Sequence, residues 1–136
     1  MTALPAPLLS VASFQLAGRG RGSNVWLSLS PSGSLAFSLL LRIPYQKLGI
    51  PPYKVVFVQY LFGLAVTEAC RDTKILASGG ERVRLKWPND IYAEGEGREV
   101  KKLGGILVNS NFTSGSVDLV IGSSALLSAT YFFSSD

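Results

Sequence analysis

Residues 18–26 read Gly-Arg-Gly-Arg-Gly-Ser-Asn-Val-Trp, and apolar segments lie on both sides of this run. Glycine allows the backbone to approach a ligand closely. Arg19 and Arg21 carry planar guanidinium groups that suit phosphate or carboxylate, and Trp26 offers a flat ring for stacking. The run therefore predicts a ligand loop in a folded domain, and an anionic ligand with an aromatic part, such as a nucleotide, fits it best.

The same run has a second interpretation, because arginine-glycine units also recur in disordered RNA-binding tails. Here the run occurs in a single copy between two apolar segments, which favours an ordered loop. An RNA-binding module nevertheless stays open as an alternative at this point. It predicts an affinity for RNA that falls steeply with salt and does not respond to a small-molecule ligand.

Composition indicates one folded domain with a local anion site. The chain has 136 residues, of which 47% are hydrophobic and 16% charged, and its net charge is +4. Seven of its 13 basic residues lie in or beside three short motifs, which indicates a local site more than a uniformly basic surface. The sequence has no histidine and one cysteine, so His-based triads and structural zinc are excluded.

The sequence also predicts a location. It contains neither a signal-peptide pattern nor an apolar run long enough to span a membrane. We therefore expect a cytoplasmic protein with no membrane or nucleic-acid partner, while an organellar form is compatible with a longer product. The oligomeric state stays open.

Hydrophobic periodicity predicts an α+β domain with a mixed β-sheet and packed helices. One long helix is expected over residues 55–72, where apolar residues recur at steps of three and four. The expected strands are residues 8–15, 35–43, 82–87, 104–111 and 116–122, and the last two form a hairpin. Loops or turns are expected at residues 30–33, 45–53, 74–82 and 94–99. No structure is predicted for residues 123–136.

A second motif, residues 86–90, reads Lys-Trp-Pro-Asn-Asp after the strand at 82–87. An asparagine and an aspartate after a proline are compatible with a plain turn. The functional interpretation is that Asp90 binds Mg²⁺, Asn89 donates to a nucleotide and Lys86 contacts phosphate. By itself the motif does not distinguish the two.

The third motif, residues 101–108, reads Lys-Lys-Leu-Gly-Gly-Ile-Leu-Val. Such a run is often an exposed turn that opens a hairpin. If it is functional, Lys102 neutralises charge where a carboxylate meets a phosphate, and Gly104 and Gly105 admit the ligand against the backbone. No Ser/His or Cys/His pair is available, so the chemistry would depend on positioning and charge stabilisation.

Taken together and in this order, the three motifs resemble the catalytic domain of biotin–protein ligases, also called holocarboxylase synthetases. The resemblance covers about residues 11–122, and GRGRGSNVW, FVQYL, KWPNDIY and KLGGILVNS are most similar to the eukaryotic members. It implies the biotin and lipoate ligase fold, which is related to class II aminoacyl-tRNA synthetases. It also implies ATP, biotin and Mg²⁺ as ligands, formation of biotinyl-adenylate, and transfer of biotin to a lysine of a carboxylase biotin-acceptor domain.

The resemblance further implies a role for each matching residue. Gln15 would hydrogen-bond biotin, Arg19 and Arg21 would bind carboxylate and phosphates, and Lys102 would bridge biotin and adenylate. The remaining ligand-binding positions would be Gly18, Gly20, Trp26, Lys86, Asn89, Gly104 and Gly105, with Asp90 as the metal ligand. Trp26 in particular would help to wall the adenine pocket.

Two departures from the family pattern predict an incomplete domain. The family has a strand and a helix with a serine-threonine pair before the region that matches residue 11 onward, and it has a different sequence after Gly122. We therefore expect residues 1–122 to form a partial catalytic domain and residues 123–136 to be a divergent tail. A chain cut at both ends, as by a partial gene model or splicing, could also be a non-catalytic paralogue. A lipoate ligase is disfavoured by the complete GRGRG and KWPND forms.

Overall fold

A six-stranded antiparallel sheet forms the body of the domain in the computed structural model, which describes residues 4–28, 34–95 and 99–126. The strands are β1 (Leu8–Ala12), β2 (Gln15–Arg19), β3 (Val25–Ser28), β4 (Ser34–Pro44), β5 (Val83–Lys86), β6 (Asp90–Glu94), β7 (Val100–Phe112) and β8 (Ser116–Leu126). The helices are α1 (Tyr45–Leu48), α2 (Val58–Arg71) and α3 (Thr73–Leu76), with 3₁₀ turns at Pro52–Phe57 and Ala77–Arg82.

The main sheet has the strand order β1-β4-β8-β7-β6-β5, while β2 and β3 form a separate two-stranded sheet. Each strand pairing within the described ranges is antiparallel. The predicted hairpin of residues 104–111 and 116–122 is confirmed as β7 and β8. Strand β8 continues to Leu126, four residues beyond the boundary that the sequence suggested at residue 122.

One face of the main sheet packs against α2, and alternation along the strands decides which side chains lie there. On β8, Val117, Leu119 and Ile121 are at most 1% exposed, whereas Val120 between them is 42% exposed. Helix α2 approaches β5 and β7 closely at Gly63, where an added Cβ would lie 3.0 Å from Leu85 Cδ1. The core therefore fills the helix side and leaves the opposite side of the sheet available for a site.

The long helix is confirmed, but it begins later than predicted. Residues 52–57 form a 3₁₀ turn in which Lys54 N donates to Pro51 O, and the α-helix begins at Val58. Proline at the first turn is compatible with this geometry because it lacks an N–H that would need a partner. Cys70 lies buried near the end of α2, and this burial raises the pKa of its thiol.

Three other predictions were wrong in detail. Residues 8–15 do not form one strand, because β1 pairs with β4 in the main sheet and β2 pairs with β3 outside it. The connection 45–53 contains α1, which ends at Gly49 with φ +66°, and the loop 74–82 contains helical turns. Gly80, in the 3₁₀ turn Ala77–Arg82, packs so closely on α2 that an added Cβ would lie 2.2 Å from Cys70 O.

Some predictions fall partly or wholly outside the described residues. The turn at 30–33 lies outside them, as do residues 96–98 of the tip predicted at 94–99 and residues 127–136 of the tail. At the tip, Gly95 N donates to Glu99 O at 2.7 Å and closes the connection between β6 and β7. No helix within the described ranges is long and apolar enough to cross a membrane.

Candidate active site

A cavity of about 650 Å³ lies between the β2–β3 hairpin and the main sheet. Its volume is in the range of small-molecule sites. The lining residues come from the hairpin, from the turn before β6 and from the strands β1, β4, β7 and β8. Among them are nine of the predicted site residues: Gln15, Arg19, Gly20, Arg21, Trp26, Asn89, Asp90, Lys102 and Gly105.

The glycine-arginine run is a β-hairpin, not an open loop. Gly18 pairs with Trp26 and Arg19 with Val25, and the tip closes through Gly20 N donating to Asn24 O at 2.8 Å. Gly22 at the tip has φ +64°, a conformation that favours glycine. Both arginines and Trp26 of this hairpin line the cavity.

The hairpin tip reaches the second motif through Arg21. Its Nη1 donates to Asn89 Oδ1 at 3.3 Å, and Asn89 Nδ2 donates to Ile106 O at 3.2 Å. Ile106 N donates in return to Asn89 O at 2.9 Å, so the turn before β6 is tied to β7. From the other side of this turn, Gln59 Nε2 of α2 donates to Pro88 O at 3.4 Å. These bonds hold Asn89 between the sheet and the arginine.

Lys102 and Asp90 form an ion pair at the cavity, with Nζ 2.8 Å from Oδ1. The Lys102 ammonium also lies 5.5 Å from the centroid of the Trp26 ring, a cation–π distance. Asp90 sits opposite Gly105, whose missing Cβ would lie 3.4 Å from the Asp90 Oδ1. The absence of a side chain at residue 105 therefore leaves room beside the carboxylate.

An irregularity in the β6–β7 pairing brings Lys102 and Gly105 to the same cavity. Tyr92 pairs with Lys102 and Ile91 pairs with Gly104, so Leu103 is an extra residue on β7. Residues 102 and 105 would lie on opposite faces of a strictly alternating strand. A bulge of this kind re-aims side chains, and here Leu103 is buried while both Lys102 and Gly105 line the cavity.

Three predicted site residues do not line the cavity: Gly18, Lys86 and Gly104. Lys86 on β5 places its Nζ 5.2 Å from the ring centroid of Tyr92. A Cβ on Gly18 would lie 2.5 Å from Gln15 Oε1, and one on Gly104 would lie 2.2 Å from Ser124 O. At both glycines the position of a side chain is already filled by neighbouring atoms.

Several lining residues were missed from the sequence, above all Ser124. Trp26 Nε1 donates to Ser124 Oγ at 2.8 Å, a bond between β3 and β8. Ser38 and Asn109 also line the cavity as polar residues on largely apolar strands. That pattern was a usable signal for Ser38 and Asn109, whereas Ser124 lies in the stretch for which the sequence predicted no structure.

The charge of the cavity is predominantly positive. Among the lining residues that the structure describes, Arg19, Arg21 and Lys102 are cationic and Asp90 is the one carboxylate. Within the described part of the chain, no three His, Cys, Asp or Glu side chains cluster as they would in a closed metal site. The arrangement suits an anionic ligand held by guanidinium and ammonium groups.

The sequence and the fold place this arrangement in a known family. Residues 1–125 match the model of the biotin/lipoate A/B protein ligase family. The chain belongs to this family. It is 40% identical over 116 residues to the human biotin–protein ligase, covering 85% of this chain and 14% of the human protein. It is 36% identical over 121 residues to the Schizosaccharomyces pombe biotin–protein ligase, covering 82% and 18%.

Solved structures of the family show the same fold. The Leishmania major biotin protein ligase in complex with biotin superimposes with a TM-score of 0.61 at 30% identity, covering 86% of this chain and 45% of that one. The same ligase in complex with biotinyl-5-AMP superimposes with a TM-score of 0.56 at 29% identity, covering 84% of this chain and 45% of that one. The predicted α+β ligase fold is thereby confirmed, and the chain spans less than half the length of these relatives.

Proposed function

We propose that the cavity is the adenylation site of a biotin–protein ligase. The observation that carries the proposal is that Arg19 and Arg21 from the β2–β3 hairpin and Lys102 from the main sheet line a single cavity. The Leishmania ligase of the same fold binds biotin and biotinyl-5-AMP, and this supports the choice of ligand. Because the chain spans a small part of its curated relatives, the whole reaction is proposed from the site and the family together.

In the first proposed step, a biotin carboxylate oxygen attacks the α-phosphorus of ATP. A phosphorus–oxygen bond forms, the bond to the β-phosphate breaks, and pyrophosphate leaves with the electron pair. Negative charge accumulates around the α-phosphate, where guanidinium and ammonium groups stabilise the transition state more than the ground state. Arg19, Arg21 and Lys102 supply that charge, Gln15 hydrogen-bonds biotin, and Gly105 leaves space for the ligand beside β7.

In the second proposed step, a lysine amine of an acceptor domain attacks the acyl carbon of biotinyl-adenylate. An amide bond forms, the bond to AMP breaks, and the amine loses a proton to solvent. The acceptors would be biotin-acceptor domains of biotin-dependent carboxylases, as expected from the family. The cytoplasmic location expected from the sequence stays a prediction.

The residues at the cavity also provide the kind of ligands that bind Mg²⁺ in proteins. Mg²⁺ is often bound by one or two carboxylates, with substrate phosphates and water completing the coordination. Asp90 lines the cavity and provides one carboxylate, and Asn89 next to it provides an amide. When bound, the ion would supply charge neutralisation of the phosphates. Its binding to Asp90 would compete with the ion pair of that carboxylate to Lys102.

Biotin-dependent exchange of labelled pyrophosphate into ATP tests the first step. We expect exchange that requires both biotin and magnesium. Lys102→Met should reduce the exchange rate on the order of a hundredfold or more, because a charge that stabilises the transition state is lost. The matched control is Lys101→Met, since Lys101 is the adjacent lysine, pairs with Glu99 at 3.4 Å and does not line the cavity.

Two results would contradict the proposal. Equal exchange rates for the two lysine variants would remove Lys102 from the site. A folded chain that shows neither exchange nor biotin binding would place this chain among non-catalytic members, while its family membership would stand. Circular dichroism of each variant is the control for folding.

A further inference from the structure

The hairpin that carries the arginines is joined to the main sheet by few bonds. No strand pairing within the described ranges links β2 or β3 to the six-stranded sheet. Two side-chain hydrogen bonds of the described residues make that connection. One is Arg21 Nη1 to Asn89 Oδ1 at 3.3 Å, at the exposed tip, and the other is Trp26 Nε1 to Ser124 Oγ at 2.8 Å, at a half-buried position.

The Trp26–Ser124 bond is the stronger candidate for holding the hairpin in place. It is the shorter of the two, and burial protects it from competition with water, which weakens exposed hydrogen bonds. Indole Nε1 is a donor only, so Trp26 requires an acceptor when its ring is partly buried. Ser124 supplies that acceptor from β8, one strand away from Lys102 on β7.

The bond also reaches the ion pair at the centre of the cavity. The ring that Ser124 orients lies 5.5 Å from the Lys102 ammonium, which in turn is 2.8 Å from the Asp90 carboxylate. A rotation of the indole would therefore change the surface against which the ammonium rests. Ser124 acts on the site through Trp26 and needs no contact with a reacting atom.

We propose that Ser124 is a positioning residue that holds Trp26, and with it the β2–β3 hairpin, closed over the cavity before the ligand arrives. The inference rests on the proposed adenylation site and adds a residue to it. A hairpin that is already closed loses less conformational freedom when a ligand binds. The Ser124 hydroxyl should therefore increase the affinity for the ligand more than the rate of the chemical step. From the typical value of one hydrogen bond, Ser124→Ala should weaken biotin binding about fivefold.

Trp26 itself reports on the bond without any need for activity. Trp87 is the other tryptophan, is 75% exposed and does not line the cavity, so Trp87→Phe leaves Trp26 as the only indole. In that background, Ser124→Ala should increase acrylamide quenching of Trp26 and shift its emission to longer wavelength. Ser110→Ala is the matched control because Ser110 is exposed on β7 and lies outside this cavity.

Binding and kinetics give the second measurement. For Ser124→Ala we expect the biotin Kd and KM to rise about fivefold, while kcat stays within about twofold of the unsubstituted chain. Ser124→Thr keeps a hydroxyl, so its Kd and KM should match those of the unsubstituted chain. Trp26→Phe removes the donor and keeps a ring. Because the two residues share one bond, the double variant with Ser124→Ala should be no weaker than the worse single variant.

The outcomes separate this inference from the proposed function. Three results would each overturn the positioning role. They are unchanged Trp26 quenching in Ser124→Ala, additive losses of biotin affinity in the double variant with Trp26→Phe, and an equal loss in kcat and in kcat/KM. Absence of exchange in every variant would overturn the proposed activity. The quenching comparison would still decide alone whether Ser124 holds Trp26. If Ser124→Ala does not fold, Trp26→Phe and Ser124→Thr provide the binding comparison.

Discussion

Gly104 and Gly105 are neighbours on β7, yet the structure predicts opposite consequences when each is changed to alanine. A Cβ on Gly104 would lie 2.2 Å from Ser124 O, 2.8 Å from Ala125 Cα and 3.1 Å from Ala125 Cβ. The first distance is shorter by about 1 Å than the usual contact of carbon with a carbonyl oxygen, roughly 3.3 Å. Since the atoms belong largely to the backbone of β8, no side chain can move aside.

The expected cost for Gly104→Ala follows from this overlap. Overpacking of a rigid core costs about 1–3 kcal/mol, and separation of β7 from β8 would weaken ladder hydrogen bonds worth about 1 kcal/mol each. The lower entropy of unfolded alanine returns about 0.4–1 kcal/mol. We therefore expect a loss of about 3 kcal/mol, which for a domain of this size lowers Tm by roughly 10–15 °C.

Gly105→Ala is the matched comparison. The nearest atoms to its added Cβ would be Asp90 Oδ1 at 3.4 Å and Asn89 O at 3.5 Å, which are ordinary contacts. Its unfolding free energy should stay within about 1 kcal/mol of the unsubstituted chain. The methyl group would occupy the cavity, so biotin binding should be reduced.

Urea unfolding followed by circular dichroism measures both variants, and biotin titration completes the comparison. Equal stability of the two variants would refute the argument from the β7–β8 contact. A Gly104→Ala protein that is stable but does not bind biotin would show that Gly104 faces the ligand, as the sequence resemblance implied.

Two further predictions concern β8. Ser123 is 6% exposed and its Oγ has no hydrogen-bond partner among the described residues, so Ser123→Ala should raise the unfolding free energy by about 1 kcal/mol, and a loss in urea unfolding would contradict this. Asp118 accepts two hydrogen bonds from Arg42 across β4 and β8, and this pairing lowers the pKa of the carboxyl. The stability it contributes is present above the unfolded pKa of about 3.9 and is lost as pH falls through the lower folded value. Thermal unfolding from pH 7 to pH 2 should show Asp118→Asn less stable at pH 7 and the difference vanishing in acid, whereas a difference constant with pH would contradict the linkage.

The elements of the fold that have a local periodicity of apolar residues could be predicted from the sequence. Residues 35–43 alternate in the manner of a strand and residues 116–122 form an apolar run, and both segments lie in strands, β4 and β8. Helix α2 follows from apolar residues at helical spacing, and its one break, Gly63, is the point of close packing against Leu85. Short elements such as α1 were missed because a single helical turn leaves too little periodicity to detect.

The residue types of the site were also legible in the sequence, because anion binding needs arginine, lysine and glycine at close spacing. The sequence by itself determined the family, the cationic character of the site and nine of the residues that line the cavity. Only the tertiary structure decided which side of each strand those side chains take. The bulge at Leu103 brings Lys102 and Gly105 to one cavity, and the long-range bond from Trp26 to Ser124 places the hairpin over it. Both depend on contacts between strands that are distant in the sequence, and local propensity and alternation do not predict such contacts.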